Sequence, residues 1–578
     1  MSALFLSTRD KWAGVTHMLR SARRRPSIAL ALVLSIVLAA CQQGQQPVGA
    51  GSATAAPTGV AGEQPRPGGT LTYIVSAEPP TFDGHQSTTF ATLMPASPHY
   101  SILYKLDPAD NVSKIIPDIA AGMPQISADK LTYTVKLRTD VKFHDGTKLT
   151  SEDVLATYNK IIFPPAGVTS PRRGVYSAVE SMTAPDPSTI TFKLKYATGS
   201  FLAGLASPWN YIYSAAKLKA DPKFYEKNIM GTGPFTFVEY VKGSHWTGKK
   251  NPDYFEKGKP YIDGYRAVFI GDAARQTAAI RSKQAMIEFR GFTPTQVSDL
   301  SRALGQELAI QEASWVCVNY ISFNTTKKPF DDPRVRRALT LGIDRWSGGE
   351  ALSKQTIVKG VGGLMRPGGP FAMPDAELQK IPGFYKDSAK SIAEAKKLLA
   401  DAGVSNLTFK FLNRNVNTPY EPVALFAINE WKKIGVTATH EVKETAAYLA
   451  DLRNKNFDVG LDFNCDYFDE PDLQLAKFYS VAKPDGTAGL GAGLNLSHYN
   501  DPKLDGLIDA QGRETDPTKR KQLVWEIERY AMGEMAWQVP VIWWNRVIPH
   551  LAIVRGYRIG SNHYTSMDMA NIWLADQK

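Results

Sequence analysis

Cysteine is scarce: the 578 residues hold three, at 41, 317 and 465, too few for a fold built on a disulfide framework. Cys317 and Cys465 fit a disulfide in an oxidising compartment and two buried thiols equally well. Long apolar runs are missing as well. The best stretch, residues 28–40, is about 13 residues long, roughly 20 Å as a helix against a hydrocarbon core of ~30 Å. A polytopic transporter is therefore excluded. Nor is there a strong excess of one charge. The chain has 67 basic and 56 acidic residues, net +11. Residues 1–40 contain six of the former (Arg9, Lys11, Arg20, Arg23, Arg24, Arg25) and one of the latter (Asp10). The remaining 61 basic and 55 acidic residues give only +6, which argues against a nucleic-acid surface. With 43% hydrophobic and 21% charged residues, the composition is globular and excludes disordered, collagenous and coiled-coil chains. The length predicts about three to five domains or subdomains.

Local signatures of catalysis are absent too. There is no G-x-S-x-G elbow and no H-E-x-x-H pair. The nine histidines are scattered, so no metal-ligand spacing emerges. Residues 243–250 (GSHWTGKK) approximate a phosphate loop, but Lys250 stands where a Ser or Thr would hold magnesium, and Asn251-Pro252 interrupts the helix that should follow. Gly489, Gly491 and Gly493 form G-x-G-x-G, which is not the dinucleotide fingerprint. The expectation is a protein that is not an enzyme, with no catalytic residues, no metal and no cofactor.

What is present begins with an address. Arg23-Arg24-Arg25 precede the apolar run, which ends in Leu38-Ala39-Ala40-Cys41. Basic residues, a short apolar core and small residues predict a secretory signal peptide over 1–40. Leu38–Cys41 resembles the lipobox of bacterial lipoproteins, which implies lipidation of Cys41 and cleavage before it. Met18 would give a leader of more usual length. Residues 42–67, rich in Gln, Gly, Ala, Pro and Ser, have too little apolar surface to order themselves and read as a flexible tether.

From Gly68 onward the chain alternates strands and helices. Alternation predicts strands over 70–76, 131–137, 190–194 and 235–241. Helix-start chemistry and an apolar face predict a helix over 151–161, and Asp332-Pro333 opens another with Val335, Leu339 and Ile343 on one side. Helices over 387–402 and 420–434 end at Gly403 and Gly435 and lead into strands over 407–412 and 436–441. A late helix covers 518–532. The pattern is that of an α/β protein. Asp145-Gly146 suits a tight turn, with His144 a turn or core histidine. Gly231-Thr232-Gly233-Pro234 permits close backbone approach at the entry to a strand. Asp344-Arg345 reads as a helix end with a local ion pair. Trp209, Trp543 and Trp544 read mainly as core.

Six segments carry a resemblance: 69–83 (GTLTYIVSAEPPTFD), 131–159 (LTYTVKLRTDVKFHDGTKLTSEDVLATYN), 231–240 (GTGPFTFVEY), 251–254 (NPDY), 324–345 (NTTKKPFDDPRVRRALTLGIDR) and 391–403 (SIAEAKKLLADAG). In this order they resemble the extracytoplasmic solute-binding proteins of ABC importers, in the dipeptide, oligopeptide and nickel family (solute-binding protein family 5). The resemblance covers nearly everything after Gly68. It implies a type II, two-lobed Venus-flytrap fold with an extra inserted subdomain. Lobe I would comprise 68–103, 208–319 and 546–578, the inserted subdomain 104–207, and lobe II 320–545. Such a receptor captures di- or oligopeptides outside the cytoplasm by lobe closure and hands them unaltered to two permease subunits and their ATPase subunits. A nickel chelate, an oligosaccharide or an opine is the alternative cargo. The expected setting is the periplasm, with a lipid anchor as the only membrane contact, or the cell surface where there is a single membrane. No nucleic-acid partner is expected, and the chain should be a monomer.

A bound peptide needs a carboxylate for its ammonium and an Arg for its carboxylate. By resemblance the first lies in 457–472 (FDVGLDFNCDYFDEPD) and matches Asp466, with Asp462 and Asp469 as competitors. Asn464 and Tyr467 flank it. The family's usual Trp is absent around Phe463-Asn464, and the spacing to Pro471 is one residue longer. The second matches Arg414, in Asn413-Arg414-Asn415. The Gly- and Pro-rich loop 365–369 is expected to face the ligand.

Overall fold

The structure, a computed structural model, describes residues 63–108, 114–168, 170–465, 468–562 and 569–575. The proposed anchor Cys41 and the site residues Asp466 and Tyr467 lie outside them.

Two long strands organise the molecule. Leu308–Phe323 has 16 residues and Gln538–Leu551 has 14. At about 3.3 Å per residue the longer one spans roughly 50 Å, enough to belong to both lobes. They pair antiparallel from Leu308↔Leu551 to Ser314↔Asn545, lose register, and pair again from Val318↔Trp543 to Ser322↔Gln538. On one side of this break the sheet continues through Ile287–Glu288, Thr70–Val75, Gly264–Phe269, His245–Lys250 and Phe235–Val241. On the other it continues through Val459–Cys465, Thr408–Arg414 and Thr437–Lys443. The result is a two-lobed, type II α/β fold joined through a shared strand pair.

Separate cores sit on either side of that pair. One gathers Leu71, Tyr73, Phe235, Trp246, Tyr265 and Ile548. Another gathers Val335, Leu339, Phe411, Trp431, Ile527 and Trp543. A third lies under a separate antiparallel sheet of Gln125–Ile126, Thr132–Lys136, Thr189–Leu194 and Val179–Asp186. The helix Ser151–Ile162 buries Val154, Tyr158 and Ile161 there, and its start is closed by a Thr150/Asp153 capping box.

Local chemistry places the elements close to where the sequence puts them. Asp332 accepts from Arg334 N–H at the start of Pro333–Leu341. Ser388–Asp401 is followed by Gly403 at φ +69°, where the chain turns back so that Val404 N–H reaches Leu399 O. The 143–147 turn is anchored by the glycine segment. His144 Nε2–H donates to Gly233 O at 3.1 Å, and its Nδ1 accepts from Gly231 N–H at 3.4 Å. Burial holds the ring below its usual pKa, consistent with a neutral structural histidine. At Gly233 a Cβ would come within 2.4 Å of the His99–Tyr100 backbone, so only glycine fits.

Asp344-Arg345 differs from expectation. Asp344 caps the next helix, Arg345–Ser353, rather than closing one. Arg345 is buried and makes no ion pair with Asp344; it donates to Thr340 O, Gly383 O and Pro540 O at 2.9, 2.6 and 2.8 Å. Thr340 O belongs to the last turn of the preceding helix, whose carbonyls have no partner within the helix. A guanidinium satisfies several at once. The open question over the cysteines is resolved: Cys317 and Cys465 face each other in the ladder and are joined by a disulfide.

Candidate functional site

Beside the interrupted ladder the strand pair presents an aromatic wall. Trp315 and Trp544 meet edge to face with ring centroids 5.5 Å apart, Trp544 and Tyr420 at 5.7 Å, and Tyr420 and Phe463 at 5.6 Å. Trp544 Nε1–H donates to Asn319 Oδ1 at 2.7 Å, and Trp543 Nε1–H to Gly363 O at 3.0 Å. Both indoles are buried, as is Trp209, in line with a core role.

Arg414 ends the strand Thr408–Arg414 against this wall. Its guanidinium lies 4.9 Å from the Tyr420 ring centroid and 5.4 Å from that of Phe463, a stacking geometry that suits a planar cation. Its other bonds are neutral and long: Nη2 to Thr445 Oγ1 at 3.2 Å and Nη1 to Tyr420 Oη at 3.4 Å. Nε is buried without a partner. No carboxylate among the described residues pairs with it. Burial raises the Tyr420 hydroxyl pKa to about 12, with the charges of Arg414 and then Arg290 pulling the other way. Both cations therefore act on the same ring.

The acidic segment behaves differently. Asp458 pairs with Lys327 at 3.1 Å. Asp462 is bound by Lys477, and both are buried. Asp469 takes Arg366 in a two-pronged contact, Nε to Oδ1 at 2.8 Å and Nη2 to Oδ2 at 2.6 Å. Glu470 and Asp472 share Arg520. Every described acid of 457–472 thus has a cation, Glu470 and Asp472 the same one. Asp462 and Asp469, the two competitors for the ligand ammonium, are already engaged. The pleat accounts for this division: Asp462 and Asn464 point to one face of Val459–Cys465, where Lys477 and Gln474 meet them, whereas Phe463 points to the other, under Arg414. Asn464 Nδ2 donates to Gln474 Oε1 at 2.9 Å. The start of the 365–369 loop is tied inward, while Gly368 is exposed. Met365 N–H donates to Glu528, and Arg366 is spent on Asp469 and on Ser314 Oγ.

The lobe that carries this segment also contacts the separate four-stranded region. Asp472 is bound by Ser200 Oγ, Lys130 Nζ reaches Thr515 Oγ1 at 2.7 Å, and the Arg513 guanidinium lies 5.1 Å from the Tyr196 ring centroid. Sequence reasoning missed Lys477, Arg520, Tyr420 and Arg290. Their partners are brought to them by the fold, and no local pattern announces them.

Residues 114–485 match the model of "Bacterial extracellular solute-binding proteins, family 5 Middle", well over half the chain. The chain belongs to this family. Family 5 members are binding proteins of ABC transporters rather than enzymes, and they act outside the cytoplasm. Oligopeptide-binding protein AppA of Bacillus subtilis (strain 168) is 27% identical over 575 residues, covering 95% of this chain and 98% of that protein. DppA from Helicobacter pylori, solved in complex with the peptide STSA, superposes with a TM-score of 0.73 at 23% identity, covering 88% of this chain and 98% of that one. AgaA from A.tumefacien R10, solved with agropinic acid, gives 0.71 at 22% identity, covering 88% and 99%. Among the described residues no helix is long and apolar enough to cross a membrane.

Proposed function

We propose that this family 5 receptor captures di- and oligopeptides by closing its lobes and delivers them unaltered to two permease subunits driven by ATPase subunits. Arg414 takes the peptide carboxylate, Asp466 takes the ammonium, and Asn464 and Tyr467 line the space between them. Arg414 carries the reading. It is a stacked cation whose buried Nε has no partner, and whose charge has no counter-ion, among the described residues, beside a segment whose described acids are all taken. Asp466 is the acid of that segment that the family resemblance matches to the ammonium. A zwitterion offers each group the partner it needs at low solvent exposure.

In this reading 68–103, 208–319 and 546–578 form lobe I, 104–207 is the inserted subdomain, and 320–545 form lobe II. Cys41 carries the lipid that holds the body at the periplasmic face of a membrane, or at the cell surface where there is one membrane, and the body works as a monomer. Titration calorimetry with a di- and tripeptide mixture tests the reading. Saturable binding is expected, and Asp466→Ala should weaken it at least tenfold without unfolding the protein. Binding of an opine, an oligosaccharide or a nickel chelate in place of peptides would assign the other cargo.

A further inference from the structure

The cleft holds a second cation that the reading above does not use. Arg290 follows Ile287–Glu288, on the opposite side of the strand pair from Arg414. Its backbone N–H and that of Gly291 both donate to Glu288 Oε2, at 2.8 and 2.7 Å, and burial pushes that carboxyl up to about 7, with the charge of Arg290 among the influences pulling it down. Its guanidinium is half-buried and makes no hydrogen bond, ion pair or ring contact with a described residue. The neighbouring Gly291 lies against Arg546, whose guanidinium is 5.2 Å from the Trp315 ring centroid, and Trp315 leads through Trp544 to Tyr420. Among the described residues neither Arg290 nor Arg414 has an ion pair, and the charges of both act on the Tyr420 ring, Arg414 from one side of the strand pair and Arg290 from the other. Burying a cation without an anion beside it is costly. One peptide carboxylate offsets only one of the two.

We propose that Arg290 is a second anion anchor and that the preferred cargo is a peptide bearing an acidic side chain as well as its terminal carboxylate. This rests on the peptide reading and narrows it. An anion held by both lobes also favours the closed form over the open one, because only closure brings both cations to it.

Calorimetry on the purified chain tests this with three tripeptide pairs, Glu-Ala-Ala against Gln-Ala-Ala, Ala-Glu-Ala against Ala-Gln-Ala, and Ala-Ala-Glu against Ala-Ala-Gln. At least one Glu peptide should bind tenfold or more tightly than its Gln counterpart. Arg290→Gln should abolish that preference while leaving the Gln peptide's affinity within about twofold, and Arg290→Lys should restore part of it. Equal binding of all three pairs, or a preference that survives Arg290→Gln, overturns the second anchor and leaves the peptide reading standing. Failure of all six peptides to bind removes both.

Discussion

Arg366 holds Asp469 by two parallel hydrogen bonds of 2.8 and 2.6 Å, with both side chains almost fully shielded from water. Nη1 of the same guanidinium reaches Ser314 Oγ at 2.6 Å, at the last paired residue before the ladder break. A lobe II loop, the acidic segment and the shared strand are thereby fixed to one another.

Removing one member strands the other charge in a buried setting. Asp469→Ala should destabilise the protein by about 3–5 kcal/mol, read as a lowered urea midpoint. The Arg366→Met/Asp469→Leu double variant should lose less than the two single losses combined. A loss below about 1 kcal/mol for Asp469→Ala would show that the pair is solvent-screened.

Arg414 makes a prediction about ligand chemistry. Arg414→Ala should cost peptide acids at least tenfold in affinity and leave the corresponding peptide amides almost unaffected. Calorimetry on matched pairs reads this directly. If the wild-type protein binds amides as well as acids, Arg414 does not hold the carboxylate.

The disulfide predicts a chemical result. Cys317 and Cys465, 148 residues apart, are paired across neighbouring strands. Alkylation of the denatured, unreduced protein should leave both unlabelled by mass spectrometry. Replacing both by Ala should lower stability by about 2–4 kcal/mol. Labelling of either residue before reduction would contradict the pairing.

Two buried acids make stability depend on pH. Burial raises Glu528 to about 7 from 4.5, against the N–H bonds it accepts from Met365 and Leu364, and Glu288 rises to about 7 for the same reason. A raised carboxyl pKa means that the folded state keeps a proton the unfolded state has lost. Stability is then unaffected by this group below about pH 4.5, falls as pH rises toward 7, and stays reduced above it. Glu528→Gln, which keeps the acceptor for Met365, should flatten that fall and stabilise the protein by roughly 3 kcal/mol at pH 8 relative to wild type. Identical urea midpoints at pH 8 would mean that Glu528 is ionised at no cost.

Much of the framework was legible because it is written in short-range chemistry. Gly403 and Gly435 stop helices where a positive φ is needed. Asp332-Pro333 starts one, and the alternation in 235–241 marks a strand with the observed limits. The family landmarks proved physically joined, as His144 shows by gripping Gly231 and Gly233. The site was legible only in part. Arg414 was found through resemblance, but the neutralisation of Asp469 by a residue 103 positions away, and of Glu470 by one 50 positions away, leaves no periodic trace. Arg345 misled for a related reason: its neighbour in sequence is an acid, yet its partners are carbonyls of three separate segments. The interruption between Ser314 and Val318 belongs to the register of two distant strands, and neither strand carries it alone.

The central claim is reversible capture of an unaltered peptide, and titration of tripeptides into the purified chain, with mass spectrometry of the ligand recovered afterwards, tests it most directly. A saturable, one-to-one heat with intact peptide returned is the predicted result. Absence of heat with every peptide tried, or recovery of cleaved peptide, would contradict it.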